Sequence, residues 1–350
     1  MAGPNESSGP PVFVMGTPRS GTTLTARILS NHSRIFIPAE THFFDDIYAR
    51  RRQLGDPADA AAMRRIAERL STLYLRQHEG QFRKQFGGLL EDPDEIIRRM
   101  GPCRDYRDVM TRFMGMQMRE AGKVRWGNQV PRDLFNVTDI LTFYPDAKVV
   151  VCVRDVRDFL LSYSGMKNVV PASYRARQRR LYHPAVAALL WRASVRRIPA
   201  IRRQVDPGNI MVIRYEDLVG DPRVVVEALC GMIGEAFEPA MLEVSENNSS
   251  DGKRRENASG IFGSSVGRWR RGLPPEHAWI GQMVAGRDLR ALGYEPQAIA
   301  VRRIRVVLLL VAIPFALLRG LLANRAKQAS LLPYLAKRLA PLFSTSRQPS

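Results

Sequence analysis

A β-branched run that stops at a glycine-bounded loop and restarts as a helix constrains this chain more than any other stretch. Val12 to Met15 reads as a strand, Gly16-Thr17-Pro18-Arg19-Ser20-Gly21-Thr22-Thr23 as a loop, and Thr22 to Ser30 as a helix with apolar spacing at Leu24, Ile28 and Leu29. That order is the context of a phosphate-binding loop. The glycines let backbone N–H groups converge on an anion, and the helix adds its free amides and the positive end of its dipole. An ordinary strand-to-helix turn is the competing reading.

Gly16 and Gly21 have P-loop spacing, yet Thr22 occupies the place of the Lys that a nucleoside triphosphatase sets on the β- and γ-phosphates. Losing that Lys argues against triphosphate hydrolysis. Arg19 is the cation within the loop.

Farther along, Lys148 to Val153 carries an unbroken apolar run suited to a strand buried on both faces of a parallel sheet, and Asn209 to Ile213 repeats the pattern. Pro222 to Ile233 and Pro275 to Leu292 read as helices outside that sheet. Arg50 to Leu75 and Asp92 to Arg119, the latter interrupted at Gly101 and Pro102, read as a helical cap. Alternating strands and helices point to an α/β fold. The expected arrangement is P-loop-like and three-layered: a central parallel sheet, helical cap insertions at about residues 45–125, basic helices at 174–205 and a C-terminal helical tail.

The 350 residues allow one large domain or two small ones. Cys103, Cys152 and Cys230 have no CxxC spacing, and the five histidines show no ligand spacing, so neither a disulfide framework nor a metal is expected. Residues 1–11 read as a disordered polar tail with no secretory pattern, which makes the expected location cytoplasmic. With 53 Lys and Arg against 34 Asp and Glu, the net charge of +19 calls for anionic partners. Arg175, Arg177, Arg179 and Arg180 match no nucleic-acid motif and read as a solvated face, so no nucleic acid is expected.

The loop and the segments after it resemble the sulfotransferases that use 3′-phosphoadenosine 5′-phosphosulfate (PAPS). The branch is the one with a Pro-Arg-Ser-Gly-Thr-Thr loop, which includes the tyrosylprotein sulfotransferases and many bacterial members. The resemblance runs from about Pro11 to Pro296. It implies a sulfotransferase domain at residues 12–297, with PAPS as co-substrate and a hydroxyl compound as acceptor. The basic, apolar mixture of the helices and the tail points to a lipid, glycolipid or other amphiphile, with a carbohydrate, a phenol or a peptide Tyr open. By the same resemblance Arg19, Ser20, Gly21, Thr22 and Thr23 hold the 5′-phosphosulfate, and Arg19 neutralises charge on the bridging oxygen as the sulfuryl group leaves. Arg154 and Ser162 correspond to the pair that takes the 3′-phosphate. A guanidinium gives bidentate contacts to phosphate, and a Ser two helical turns along can approach the same ligand. Taken alone, Arg154 would read as an ion pair with Asp155 or Asp158.

Glu40 falls at the place of the general base, a role that needs burial or a closely held acceptor oxygen. A capping or salt-bridged Glu40, His42 as the base, and no base at all stay open. Tyr215 in Tyr215-Glu216-Asp217-Leu218 matches a nucleotide contact or is a core tyrosine. Arg268 and Arg271, in Ser264 to Leu273, match a segment that closes over the donor or form a solvated basic turn. Gln129 departs from the resemblance, since relatives commonly carry a Lys there. Charge stabilisation would then rest on Arg19, helped by Arg132, with slower, altered or lost activity. A P-loop kinase or nucleotide-binding protein and a degenerate PAPS-binding homologue are the alternatives.

The tail, residues 298–350, follows the last acidic residue, Glu295, and holds nine Lys and Arg. Val306 to Leu318 is thirteen apolar residues long and broken by Pro314, short of the roughly 20 that span a bilayer. It reads either as a helix docked on the domain or as an interfacial anchor, with peripheral membrane contact through residues 302–350.

Overall fold

The computed structural model describes residues 8–77, 90–165, 181–244 and 260–324. Its centre is a five-stranded sheet in the order β2-β3-β1-β4-β5, with every pairing parallel. The strands are β1 (Val12–Gly16), β2 (Ile35–Phe36), β3 (Arg125–Gln129), β4 (Lys148–Val153) and β5 (Ile210–Arg214). β1 is the middle strand and is buried along its length, with Val12 opposite Gly127 on one side and Lys148 on the other. Alternate residues point to opposite faces. Phe13 and Met15 join Trp126, Val149 and Val151 in one apolar layer, while Val12 and Val14 join Val150, Cys152 and Ile213 in the other. A strand covered on both faces has no polar side, which is why β1 and β4 are legible as unbroken apolar runs. The expected α/β architecture, a parallel sheet between helical layers, is the one observed.

β3 has no such signal. Its sequence, Arg-Trp-Gly-Asn-Gln, is buried throughout. The Arg125 guanidinium donates to the Ile233 carbonyl at 2.7 Å and pairs with Glu235 at 3.1 Å. Gly127 lies so close to β1 that a Cβ there would come within 2.6 Å of the Val12 carbonyl oxygen. Polar partners and a missing side chain do for β3 what apolar patterning does for its neighbours.

The loop helix, Thr22–Ser30, and the helix Pro222–Ile233 have the expected bounds. The cap consists of helices Ala60–Gln77, Pro93–Met100 and Tyr106–Glu120, the last two started by the side chains of Asp92 and Asp105. An unbroken helix from Arg50 does not form, because Gly55 takes φ +98° after the short helix Arg51–Leu54. The expected Pro275–Leu292 helix likewise splits, at Gly286 with φ +53°, into Pro275–Ala285 and Arg287–Ala291. Within Pro275–Ala285, Gly281 faces Leu160 so closely that a Cβ would stand 2.5 Å from its Cδ1, which sets this helix tight against Val156–Ser164.

Residues 1–7 of the expected tail lie outside the described residues, but Ser8 to Pro11 are tied to β3. The Ser8 amide donates to the Val124 carbonyl at 2.8 Å, and Arg125 Nε donates to the Pro10 carbonyl at 2.9 Å. Arg125, which no local pattern marks as a partner, thus extends the domain toward the N-terminus. Of the expected basic helices, Arg175 to Arg180 lie outside the described residues. Pro184–Val195 and Ile198–Gln204 pack into the core through Ala188, Trp191 and Ile201. After Glu295 two helices follow, Arg303–Val311 and Ile313–Asn324, with Pro314 in the first turn of the second. Their inner face meets the domain: Val306 is buried against Ala185 and Ile280, and His183 Nε2 lies 3.0 Å from the Leu309 carbonyl oxygen, while residues 325–350 of the expected tail lie outside the described residues.

Two glycines make the close packing of the sheet testable. A Cβ on Gly16, whose φ is +150°, would stand 2.1 Å from the Cys152 carbonyl oxygen. Gly16→Ala is therefore expected to destabilise the fold by about 2–4 kcal/mol in denaturant titrations. Gly231, on the helix Pro222–Ile233, has open space around it. Gly231→Ala should instead stabilise by up to about 1 kcal/mol in the same assay.

Candidate functional site

Beyond β1 the chain turns through the loop at two glycines, Gly16 and Gly21, and the second, at φ +91°, opens the helix Thr22–Ser30. Gly21 serves a further purpose. A Cβ on it would meet the Tyr215 ring at 2.7 Å, so its absence lets the tyrosine lie against the loop. Among the described residues, Arg19 (φ 66°) and His42 (φ 52°) alone combine a side chain with left-handed backbone. Such strain concentrates where neighbouring structure over-determines a conformation. Beneath the loop, Thr17 Oγ1 and Ser20 Oγ are buried and have no hydrogen-bond partner among the described residues, and neither does Arg154 Nε.

Arg154 leaves the end of β4 and is 6% exposed. Its NH2 donates to the Ser265 carbonyl at 2.6 Å and its NH1 to the Arg19 carbonyl at 3.4 Å, and its guanidinium lies 4.2 Å from the centre of the Tyr215 ring. The ion pair with Asp155 or Asp158 that local sequence would favour is not made. Arg157 takes Asp155 instead, with Nε at 2.9 Å and NH2 at 2.5 Å. Asp158 accepts the amides of Gly267 at 2.7 Å and Trp269 at 2.9 Å, which pins the later segment over the loop. Ser162 Oγ accepts from Arg19 Nε at 3.0 Å, and the Tyr215 and Ser265 hydroxyls are 2.5 Å apart. Burial, reinforced by the charge of Arg154, lowers the Arg19 guanidinium from its usual value. Two cations held this close form an electrostatic receptacle for a multiply charged anion.

Opposite them stands an acidic relay. His42 Nε2 lies 3.4 Å from Glu40 Oε2, its Nδ1 lies 3.1 Å from Asp45 Oδ1, and Arg132 reaches the other Asp45 oxygen at 3.3 Å. Burial raises the Glu40 carboxyl above the ordinary carboxylate range, against the opposing charges of His42 and Arg132. For His42, burial pulls the imidazolium down, but the hydrogen bond and charge of Asp45 and the charge of Glu40 outweigh it, and the net shift is upward. Gln129 is buried, and its amide donates to Thr22 Oγ1 at 3.3 Å and also toward Glu40. Behind this group Asp133 is 1% exposed, held by Asn128 at 2.9 Å and Asn136 at 3.3 Å, and burial pushes its carboxyl up to about 8.

One cleft brings together Arg19, Gly21, Thr22, Thr23, Glu40, Arg154, Ser162, Tyr215 and Arg268. Ser20 lies buried beneath it, and Arg271 stands exposed on the short helix Trp269–Gly272, away from the lining. Arg27, Phe262 and Ser265 also line the cleft. Arg27 is one helical turn past Thr23, a spacing that marks it in retrospect. Ser265 and the clamp at Asp158 depend on a contact across more than a hundred residues and have no local signal. The cap helices and the helices Pro184–Val195 and Ile198–Gln204 contribute none of the described lining. Among the described residues no His, Cys, Asp or Glu cluster is arranged to hold a metal.

A model of the sulfotransferase family matches residues 10–239. An uncharacterized protein of Aquifex aeolicus is 24% identical over 273 residues, covering 77% of this chain and 32% of that protein. A 3-alpha-hydroxysteroid sulfotransferase of Cavia porcellus is 29% identical over 125 residues, covering 34% of this chain and 42% of that protein. The chain thus spans about a third of the first relative and less than half of the second. Among solved structures, the sulfotransferase domain of the Synechococcus PCC 7002 olefin synthase superposes with a TM-score of 0.52 at 21% identity, covering 83% of this chain and 97% of that domain. The sulfotransferase domain from the curacin biosynthetic pathway superposes with a TM-score of 0.51, also at 21% identity, covering 83% of this chain and all of that domain. At this identity the likeness is one of fold. The family match, by contrast, includes the loop on the central strand, Glu40 and the Arg154, Ser162 and Tyr215 cluster, and with it the chain belongs to the sulfotransferase family.

Proposed function

We propose that the chain transfers a sulfuryl group from PAPS to an acceptor hydroxyl, with the loop and the Arg19 and Arg154 pair as the donor site. The observation that carries this reading is the set of buried polar atoms without hydrogen-bond partners among the described residues, Thr17 Oγ1, Ser20 Oγ and Arg154 Nε, at one loop whose cleft Arg19 and Arg154 line. An unsatisfied buried polar group costs about 1–3 kcal/mol, and an anion of several oxygens bound at the loop would offset that cost at Arg154, which lines the cleft. The helix N-terminus and loop amides suit the 5′-phosphosulfate, Arg154 and the Ser265 segment suit the 3′-phosphate, and Tyr215 and Arg268 stand at the cleft wall for the nucleoside.

In the transfer step Glu40 takes the proton of the acceptor hydroxyl as its oxygen bonds to sulfur. The bond between sulfur and the bridging oxygen breaks in line, and its electron pair stays on the 5′-phosphate oxygen, where Arg19 meets the developing charge. His42, held by Asp45, favours the ionised form of Glu40. The products are a sulfate ester and adenosine 3′,5′-bisphosphate, and the step calls on no metal ion. Val244, Ile261 and Phe262 give the cleft an apolar wall, which fits an acceptor with an apolar body, such as a lipid or glycolipid. Cys103, Cys152 and Cys230 are buried free thiols, which fits a reducing compartment such as the cytoplasm. A second reading, a PAPS-binding homologue without turnover, rests on Gln129, whose neutral amide stands where relatives commonly carry a cation.

Adenosine 3′,5′-bisphosphate at 100 times its Kd is expected to stabilise the protein by about 2.7 kcal/mol in thermal-shift measurements. AMP should give far less, and Arg154→Ala should abolish the shift. A shift confined to ATP with Mg²⁺ would replace this reading with a kinase. Turnover is read as bisphosphate release from PAPS with a panel of phenol, sterol and glycolipid acceptors. Glu40→Gln should lower it by about 10²–10⁴-fold while leaving bisphosphate binding intact. Binding without turnover in the parent chain would select the second reading.

The pH dependence has a fixed sign. Glu40 accepts a proton only in its ionised form and its carboxyl is raised by burial, so kcat/KM should fall on the acid side at a higher pH than an exposed glutamate would give. His42→Gln removes an opposing charge and should move that acid limb to still higher pH.

A further inference from the structure

The two helices after residue 302 have a second face that the transfer reaction leaves unused. Fourteen large apolar side chains are exposed among the described residues, and nine of them lie on this pair, including Ile304, Leu308, Val311, Phe315, Leu318 and Leu322. Phe315 is 72% exposed. Exposed apolar residues on a folded domain are normally scattered, so a contiguous concentration marks a surface that meets something.

The charges around it choose the partner. Arg302, Arg303, Arg305 and Arg319 are exposed on the same two helices and the turn before them. No Asp or Glu occurs after Glu295, while nine Lys and Arg do. A basic rim around an apolar face complements a surface that is anionic outside and hydrocarbon within. Taken together the two helices have the length and apolar composition of a span broken by a bend, and it is the inner face docked on the domain that favours lying on a bilayer over crossing it. The helices have 9 and 12 residues and are bent by 42° at their junction. Each is about 14–18 Å long against a hydrocarbon core of about 30 Å. Among the described residues no single helix is long and apolar enough to cross a membrane. The inner face of the pair is already occupied by the domain through Val306, Ala316 and the His183 contact to Leu309.

We infer that the helix pair Arg303–Asn324 is a docking surface for an anionic bilayer, its outer apolar face entering the headgroup boundary while its inner face stays on the domain. The inference is independent of the sulfuryl-transfer reading, since it uses no residue of the cleft.

The test is co-sedimentation of the full chain with vesicles of phosphatidylcholine alone and of an equal mixture with phosphatidylglycerol. Binding is expected to the mixed vesicles, to weaken as salt rises, and to be released by alkaline carbonate. The double variant Phe315→Ser and Leu318→Ser should weaken it by at least about tenfold, as should Arg303→Gln with Arg305→Gln. All four positions are exposed, and an unchanged melting temperature and bisphosphate-induced shift would show that the domain is intact. No binding to mixed vesicles, or binding that neither double variant weakens, would overturn the proposal. Equal binding to phosphatidylcholine alone would overturn the charge argument, and resistance to carbonate would replace docking by a span. A dimer in light scattering that the Phe315 and Leu318 substitutions dissolve, without vesicle binding, would assign the face to a second copy of the chain.

Discussion

Two guanidiniums lie close together at the carboxyl ends of adjacent strands, and much of the surrounding structure holds them there. Arg19 follows β1 and is partly buried, and Arg154 follows β4 and is buried. Like charges brought together out of water repel strongly, so the arrangement needs support on every side. Ser162 and the Ser265 carbonyl supply hydrogen bonds, the Tyr215 ring supplies a π-face, and Trp191 Nε1 fixes the Arg154 carbonyl at 2.8 Å. The left-handed backbone at Arg19 belongs to the same economy, since strain there persists only because the flanking strand and helix fix both ends of the loop.

The second constraint is the sorting of nearby carboxylates. Arg157 neutralises Asp155, and Asp158 is spent on two backbone amides, so neither carboxylate is left to pair with Arg154. Three acidic groups on the opposite side are separated by environment. Asp45 is shared by His42 and Arg132, Glu40 is raised by burial and faces the cleft, and Asp133 is raised to about 8 between two asparagines. The deepest carboxyl, Asp133, is the one burial raises most, and its two oxygens accept from the Asn128 and Asn136 amides instead of facing the cleft. The site keeps Arg19 and Arg154 on one wall and Glu40 on the other.

Layering explains how a binding cleft and an apolar outer surface coexist. The cleft opens at the carboxyl ends of the strands, the usual place in open α/β sheets, and is closed by the segment pinned to Asp158. The helices Pro184–Val195 and Pro275–Ala285 form a separate layer, on whose outside the C-terminal pair rests. The exposed face of that pair is not needed to hold the sheet together, so its apolar character asks for an explanation outside folding.

The sequence by itself determined the features whose cause is local. An unbroken apolar run declares a doubly covered strand, a helical period declares Thr22–Ser30 and Pro222–Ile233, and glycines at Gly16 and Gly21 declare a turn that other residues could not make without strain. Those signals located the loop with Arg19, whereas Arg154, Ser162, Tyr215 and Glu40 were marked only by the resemblance to the sulfotransferases; the cleft brings all five together. Tertiary structure decided everything that depends on which partner wins. Spacing alone would give Asp155 to Arg154, and only burial and the reach of Gln282 to Arg157 NH1 at 2.6 Å show why Arg157 takes it. Arg268 and Arg271 are alike in a basic turn until the helix Trp269–Gly272 sends the second to solvent. β3 becomes a strand without apolar patterning because Ile233 and Glu235, a hundred residues on, satisfy Arg125. Backbone propensity and period act over a few residues and can be read along the chain, whereas desolvation, charge pairing and close packing act between segments and exist only once the chain has folded.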